Sequence, residues 1–425
     1  MTAQIALLNK EAIALASDSA VTTIYEKGPK IFTSANKLFS LSPEHPVGIM
    51  IYGNARFMGI PWETIIKLYR KKVGKEKFNT IKDYLNDFVK FLEENRELFP
   101  EEIQDMELRK RIASYLTFIR NDIFLEVEKI IKNEGKLYEK DIETKVVNKV
   151  INEHFENIKN KFKKLPHIDK KEYIDALKEK TDKITEEIVP SIFEKIRLSD
   201  EIKKKLKEIS HALFYKDIFP RDRSGVIIGG FGEKEVFPAL VVIEVEVVVN
   251  NRLKYIKIGE VNISNECTAV IYPFAQKEMV VTFIEGIHPE IRKEFIENWP
   301  REILNRYAEE LVKIENPQSL QVLKEKNRIL MKEYLDKFKE YIRKRHVDPI
   351  INVVSYLPKN ELALIAEALV NLTSFKRRVS TEEETVGGPI DVAVISKGDG
   401  FVWIKRKHYF KPELNPHFIA KYYKM

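Results

Sequence analysis

Two strand–turn–strand patterns follow one another within the first 53 residues, and no other stretch narrows the fold as much. Residues 5–8 read as a short strand, Asn9-Lys10-Glu11 as a turn and residues 12–17 as a second strand, together a hairpin. A further hairpin runs through residues 37–41, turns at Ser42-Pro43-Glu44-His45-Pro46 and returns through residues 47–52 to Gly53. Thr2 precedes the first strand and Asp18 follows the second. Strand ends are where side chains converge. A nucleophile, a carboxylate, a lysine and a glycine N–H are the parts of an acyl-transfer site.

Thr2 is the pivot of that reading. An initiator Met is usually trimmed when the next side chain is as small as threonine, which would leave Thr2 at the N-terminus. A terminal threonine carries its own base. Its α-amine, with a reference pKa of about 7.7–8.0, is partly uncharged near neutral pH and can take the hydroxyl proton. Taken singly the residues are weak signals: threonine follows Met in many proteins, Asp18 suits a turn, and Lys37 suits a solvated strand edge. The combination carries the inference.

The run from Thr2 through ALASDSAVT, NKLFSL and GIMIYGNA resembles the start of proteasome β subunits and their bacterial proteasome-like relatives, which are N-terminal nucleophile hydrolases. The resemblance implies a nucleophile at Thr2, an Asp18–Lys37 pair whose lysine lowers the nucleophile's pKa, and an oxyanion N–H from Gly53. Lys30, in GPKIF, is the rival lysine. Lys37 is preferred because the strand, turn and GIMIYG run after it match the family better. Towards the C-terminus, ELALIAEALVNLTSFKRR and VGGPIDVAVISKGDGFVWI resemble the family's late helix, Gly-Gly turn, strand and closing hairpin. SGVIIGGFGEKEVFPALVVIEV resembles its central strand pair. Roughly half of the chain is covered in this way.

The chain also departs from the family. Proteasome-like enzymes use a Ser before a Gly ahead of a helix, and an Asp-x-x-Ser just before the Gly-Gly turn. The matching stretches here read AVIYPFAQKEM and STEEETVGG. An ungapped match puts Glu383 at the Asp and Val386 at the Ser, with Thr385 one residue out of register, and no Ser stands near Ala275. In the family these positions orient the terminal amine and a water, so their replacement bears on turnover and leaves the nucleophile intact.

Other chemistries lack their motifs. The sequence has no G-x-S-x-G and no G-K-[ST], and GVIIGGFG lacks both the dinucleotide spacing and a following helix, so a bulge or tight turn is expected there. The eight histidines are scattered, and a lone cysteine, Cys267, excludes an intramolecular disulfide and a multi-cysteine metal site. Neither metal nor cofactor is expected. Net charge is +7, from 72 Lys and Arg against 65 Asp and Glu, a surplus and not a basic field. Basic clusters at 161–164, 203–205 and 405–408 therefore read as wet faces, and nucleic acid is not an expected partner. The absence of a leader and of any apolar run near eighteen residues predicts a cytoplasmic protein without a membrane partner.

At 425 residues the length prior suggests two or three domains. Residues 62–98 read as two amphipathic helices ending before Pro100. Residues 101–216, rich in Lys, Glu, Ile and Asn and divided by Pro166 and Pro190, predict an inserted helical subdomain or lid. Strands follow at 224–231 and 239–249, then at 252–258 beyond an Asn250-Asn251 turn, and at 268–272. Helix returns over 289–341, with Pro349 as its stop, in a second insertion spanning 289–350. The core then consists of 1–100, 217–288 and 351–425. The resemblance gives it the α+β, four-layer αββα sandwich of N-terminal nucleophile hydrolases.

The expected activity is that of a threonine-type peptidase acting through an acyl-enzyme ester. A non-proteolytic amidohydrolase and a catalytically silent structural or interaction protein are the alternatives. Partners implied by the family are a peptide or protein substrate, further copies in a homo-oligomeric ring, and an ATP-dependent unfoldase. Large insertions either block ring stacking or build a private lid.

Overall fold

The N-terminal hairpin is formed by β1 (Ala3–Asn9) and β2 (Ala12–Ser17), and every residue of both strands is buried. The computed structural model describes the chain except residues 1, 26–27, 43, 135–141, 169–170, 195, 315–318, 381–385, 409, 418–419 and 421–425. The remaining strands, in chain order, are β3 (Val21–Tyr25), β4 (Gly28–Phe32), β5 (Leu38–Ser42), β6 (His45–Gly53), β7 (Arg56–Phe57) and β8 (Ile60–Pro61). After a long helical stretch come β9 (Ser224–Gly230), β10 (Ala239–Val249), β11 (Arg252–Asn262), β12 (Ala269–Ala275), β13 (Asp391–Ser396) and β14 (Gly400–Lys405).

Two five-stranded sheets carry the fold, ordered β12-β1-β2-β13-β14 and β11-β10-β9-β6-β5, and their neighbouring strands pair antiparallel. Strand side chains alternate between faces, and β1 and β2 use both faces. Ala6, Leu8, Ile13 and Leu15 join Met50, Ile227, Leu240 and Val242 of the second sheet in one apolar cluster. The alternate residues, Ile5, Leu7, Ala12, Ala14 and Ala16, pack with Leu362, Ala366 and Leu369 of the helix Lys359–Val379. The small alanines of β2 let that helix come close. The far face of the second sheet, through Val47, Ile49, Val226, Ile228 and Val241, packs with helices Trp62–Val73 and Ile81–Glu94. The second of these helices starts at a capping box, in which Thr80 and Asp83 satisfy each other's backbone N–H.

Helices Glu101–Glu134, Asn148–Lys161, Lys171–Ile192 and Asp200–Tyr215 share a separate apolar cluster that the sheets join only through Val247 and Val249 of β10. No helix among the described residues is long and apolar enough to cross a membrane.

Several local expectations are corrected. Pro190 does not divide its region but sits inside Lys171–Ile192, two residues from the end, where it removes one hydrogen bond while Ile184, Ile188 and Val189 stay packed. Pro349 is not a stop. The helix Ser319–Ile342 runs on through a π-helical turn, Arg343–Val347, into Asp348–Val354, and Pro349 is accommodated just after that turn, where the regular i→i−4 ladder is already interrupted. SGVIIGG is a regular strand without a bulge, and the expected tight turn follows it, where Glu235 N–H donates to the Gly232 carbonyl (3.1 Å). Gly225 and Gly229 lie where a Cβ would meet Tyr52 and Ile13, so these glycines permit close approach within and between the sheets. Asn250 and Asn251 do form the β10–β11 turn, both with positive φ (47° and 56°), and β11 continues to Asn262. The short pairs β3–β4 and β7–β8 had no clear sequence pattern.

Candidate active site

Register brings the N-terminal strand, the end of β2 and the start of β5 together. Asp18 N–H donates to the carbonyl of Ala3 (3.0 Å), and Ile51 N–H of β6 donates to the carbonyl of Lys37 (2.9 Å). Lys37 thus enters from the second sheet towards Thr2 and Asp18 on the first. Its Nζ donates to Thr2 Oγ1 at 3.0 Å and to Asp18 Oδ1 at 2.7 Å. Thr2 is 3% exposed, Asp18 0% and Lys37 5%, so this ion pair lies out of water.

A buried charge must be compensated at every lone pair or proton. For Asp18 the backbone does most of this. Oδ1 also accepts from Ala3 N–H (3.1 Å), and Oδ2 accepts from Ala20 N–H and Gly387 N–H (3.2 Å each). Burial pushes the Lys37 ammonium below its ordinary pKa against the opposing pull of Asp18, and the Lys407 charge adds to the lowering. Lys407 is itself held by Asp391, where β13 begins beside Ser17. Lys30, the rival lysine, is exposed in β4 over the Phe32 ring (5.2 Å).

Gly53 ends β6 with φ +80°, a conformation open to glycine, and a Cβ there would fall on the carbonyl of Arg223. Thr2, Lys37, Ile51, Gly53 and Trp62 line one pocket of about 170 Å³. Asn54 also borders a second cleft of about 320 Å³, to which the helix Glu101–Glu134 contributes Glu107, Lys110 and Arg111. Tyr52, in the first pocket, has its phenol pKa raised by burial and by Glu244, which accepts its hydroxyl hydrogen at 3.3 Å. A larger cleft of about 790 Å³ near the β10–β11 turn shares no residue with the Thr2 pocket.

Sequence reasoning missed Gly387 and Gln4. Gln4 Nε2 donates to Ser17 Oγ (2.9 Å) and to the carbonyl of Ile51 (2.8 Å), which ties the two sheets beside Thr2. The Gly-Gly turn was the available signal for Gly387. Gly388, at φ +77°, packs where a Cβ would meet the Thr33 carbonyl, so the turn closes on the segment leading to Lys37. Of the departures from the family, Val386 is fully buried, Ala275 takes the left-handed conformation (φ 57°), and Glu383 and Thr385 lie outside the described residues. No group of three or more His, Cys, Asp or Glu suited to a metal occurs among the described residues.

No family model and no curated protein matches the sequence. Among solved structures, the chain is similar to Anbu from Hyphomicrobium sp. strain MC1, with 9% identity and a TM-score of 0.29 over 99% of this chain and 97% of that one. An Anbu (Gly-1) mutant from the same strain gives 8% identity and a TM-score of 0.28 over 100% and 96%. The likeness is distant. At such scores it fixes no residue correspondence.

Proposed function

We propose that the chain is a threonine-type amide hydrolase of the proteasome-like N-terminal nucleophile class, built as a four-layer αββα sandwich. The observation that carries this reading is the 3.0 Å contact between Lys37 Nζ and Thr2 Oγ1, buried and backed by Asp18. Removal of Met1 turns the Thr2 nitrogen from an amide into an amine. Thr2 Oγ then attacks a substrate carbonyl while the amine accepts the hydroxyl proton. Lys37 donates a hydrogen bond to the developing alkoxide. The N–H of Gly53 receives the oxyanion, an interaction typically worth about 2.7–4 kcal/mol of barrier. The amine returns its proton to the leaving nitrogen, and water then hydrolyses the threonine ester.

The substrate class in this reading is an extended peptide or unfolded protein segment, cleaved in the cytoplasm without a cofactor. In this reading residues 101–216 and 289–350 are insertions into the core, and the first supplies Glu107, Lys110 and Arg111 to a cleft that shares Asn54 with the Thr2 pocket. Assembly into a ring and delivery by an ATP-driven unfoldase belong to the same proposal. A second reading, a catalytically silent scaffold, draws on the apolar Val386 and on Ala275 where the family carries hydroxyls.

Hydrolysis of a fluorogenic peptide set and of an unfolded protein separates the two. The peptidase reading expects turnover that vanishes in Thr2→Ala. Equal traces from wild type and Thr2→Ala reject the peptidase and leave the scaffold or an amidohydrolase that does not act on peptides.

A further inference from the structure

Between β12 and the helix Lys359–Val379 the chain forms a helical hairpin with arms Trp299–Ile314 and Ser319–Ile342. Asn327 Nδ2 donates to the carbonyl of Leu304 (2.8 Å), and Lys324 pairs with Glu309 (2.8 Å), so later residues of one arm meet earlier residues of the other and the arms run antiparallel. Leu304, Ala308 and Leu311 of the first arm and Leu323, Met331 and Leu335 of the second are buried or half-buried at helical spacing, and the arms pack on each other along them.

A groove of about 690 Å³ runs along this seam. Leu304, Met331 and Leu335 give it an apolar floor, and Arg301, Lys324, Arg328, Lys332 and Lys339 line it with positive charge. The arms together hold nine Lys and Arg against seven Asp and Glu, yet of those seven carboxylates only Asp336 lines the groove. A hairpin of small net charge therefore concentrates its cations on one side. Lys324, Arg328 and Lys332 recur every fourth residue, about 6 Å apart along the helix, and Lys339 extends the row to about 22 Å. Lys324 meets Glu309 and Arg328 meets Glu325 (2.7 Å) in exposed pairs that exchange partners at little cost. Arg301, Lys332 and Lys339 have no ion-pair partner among the described residues.

We propose that this groove docks an acidic amphipathic helix of a partner protein, with its aliphatic residues on Leu304, Met331 and Leu335 and its carboxylates against the cationic row. Charge complementarity commits the groove to an anionic occupant. Spacing selects a helix, because glutamates four residues apart repeat at the same distance of about 6 Å as Lys324, Arg328 and Lys332. A helix laid along the seam also covers the floor, as the third member of a bundle with the two arms. Nucleic acid fits less well. No aromatic ring lines the groove, among the described residues, on which a base could stack. The aliphatic floor offers nothing to a phosphodiester chain, and Asp336 interrupts the row.

The proposal does not rest on the hydrolase reading, and its test reads binding alone. The probe is a fluorescein-labelled peptide of about 18 residues, with leucine on one helical stripe and glutamate on the rest, titrated with the full chain and followed by anisotropy. Saturable binding below about 100 µM that weakens as salt is raised is expected. Lys332→Glu with Lys339→Glu is expected to weaken it by about 10-fold or more, with unchanged circular dichroism. Lys326→Glu with Lys337→Glu makes the same charge change on the same arm outside the groove, and is expected to shift the affinity by less than about threefold. A scrambled peptide of the same composition keeps the charge, loses the stripe and is expected to bind at least about 10-fold more weakly. No saturation in that range, equal losses from the two double variants, or a scrambled peptide or single-stranded oligonucleotide of equal charge that binds as tightly overturns the proposal.

Discussion

Lys37 is held by two forces of opposite sign. Burial disfavours its charge, and Asp18 and Thr2 Oγ1 hold the ammonium in place. Removing the cation strands a fully buried carboxylate, so Lys37→Met is expected to cost about 3–5 kcal/mol in denaturant unfolding as well as any turnover. A stability loss below about 1 kcal/mol would mean that Asp18 does not depend on its partner. Gly53 is constrained by backbone geometry. Gly53→Ala places a Cβ on the Arg223 carbonyl at φ +80°, with an expected strain of about 1–3 kcal/mol and a displaced turn beside Thr2. Thermal melting and peptide turnover should both fall; an unchanged pair of values contradicts the placement of this glycine. Thr2, Asp18, Lys37 and Gly53 could be named in the sequence because the strands they flank resemble the opening of a known family, and Lys37 is preferred to Lys30 on that resemblance. Gly387 could not, since its bond to Asp18 joins residues 369 apart and exists only once β13 lies beside β2.

At the scale of elements, alternation and turn chemistry made the strands legible wherever a hydrophobic run was bounded by Asn, Gly or Pro. The prolines misled because their effect depends on position: Pro190 falls near a helix end and Pro349 just after the π-helical turn Arg343–Val347, and both are tolerated there. The loop before the helix Lys171–Ile192 is pinned by a histidine that in the sequence is only one of eight scattered ones. His167 stacks on Tyr255 at 3.9 Å and donates from Nε2 to the Leu253 carbonyl at 3.2 Å. Burial, with a smaller contribution from Arg252, pushes its pKa from 6.5 down to about 4. Between those values the unfolded chain holds a proton that the folded chain refuses, so stability rises with pH through that window and levels off above it. His167→Phe is expected to flatten the difference in unfolding free energy between pH 4 and 6.5. Parallel pH profiles for wild type and variant would deny the buried neutral ring.

Across the whole molecule, the described apolar residues form dense clusters between the sheets, outside each sheet and among the helices between Glu101 and Tyr215. The helices Trp299–Ile314 and Ser319–Ile342 bury less, and the helical pattern read over 289–341 does not reveal which face would be left bare. Periodicity reports that a face is apolar and not what covers it.

The measurement that tests the central claim most directly is the intact mass of the purified protein before and after an N-terminal-threonine-directed covalent inhibitor. The account predicts loss of Met1 and a single adduct that disappears in Thr2→Ala. A retained Met1 would remove the base on which the mechanism depends, and an adduct that persists in Thr2→Ala would place the reactive group elsewhere.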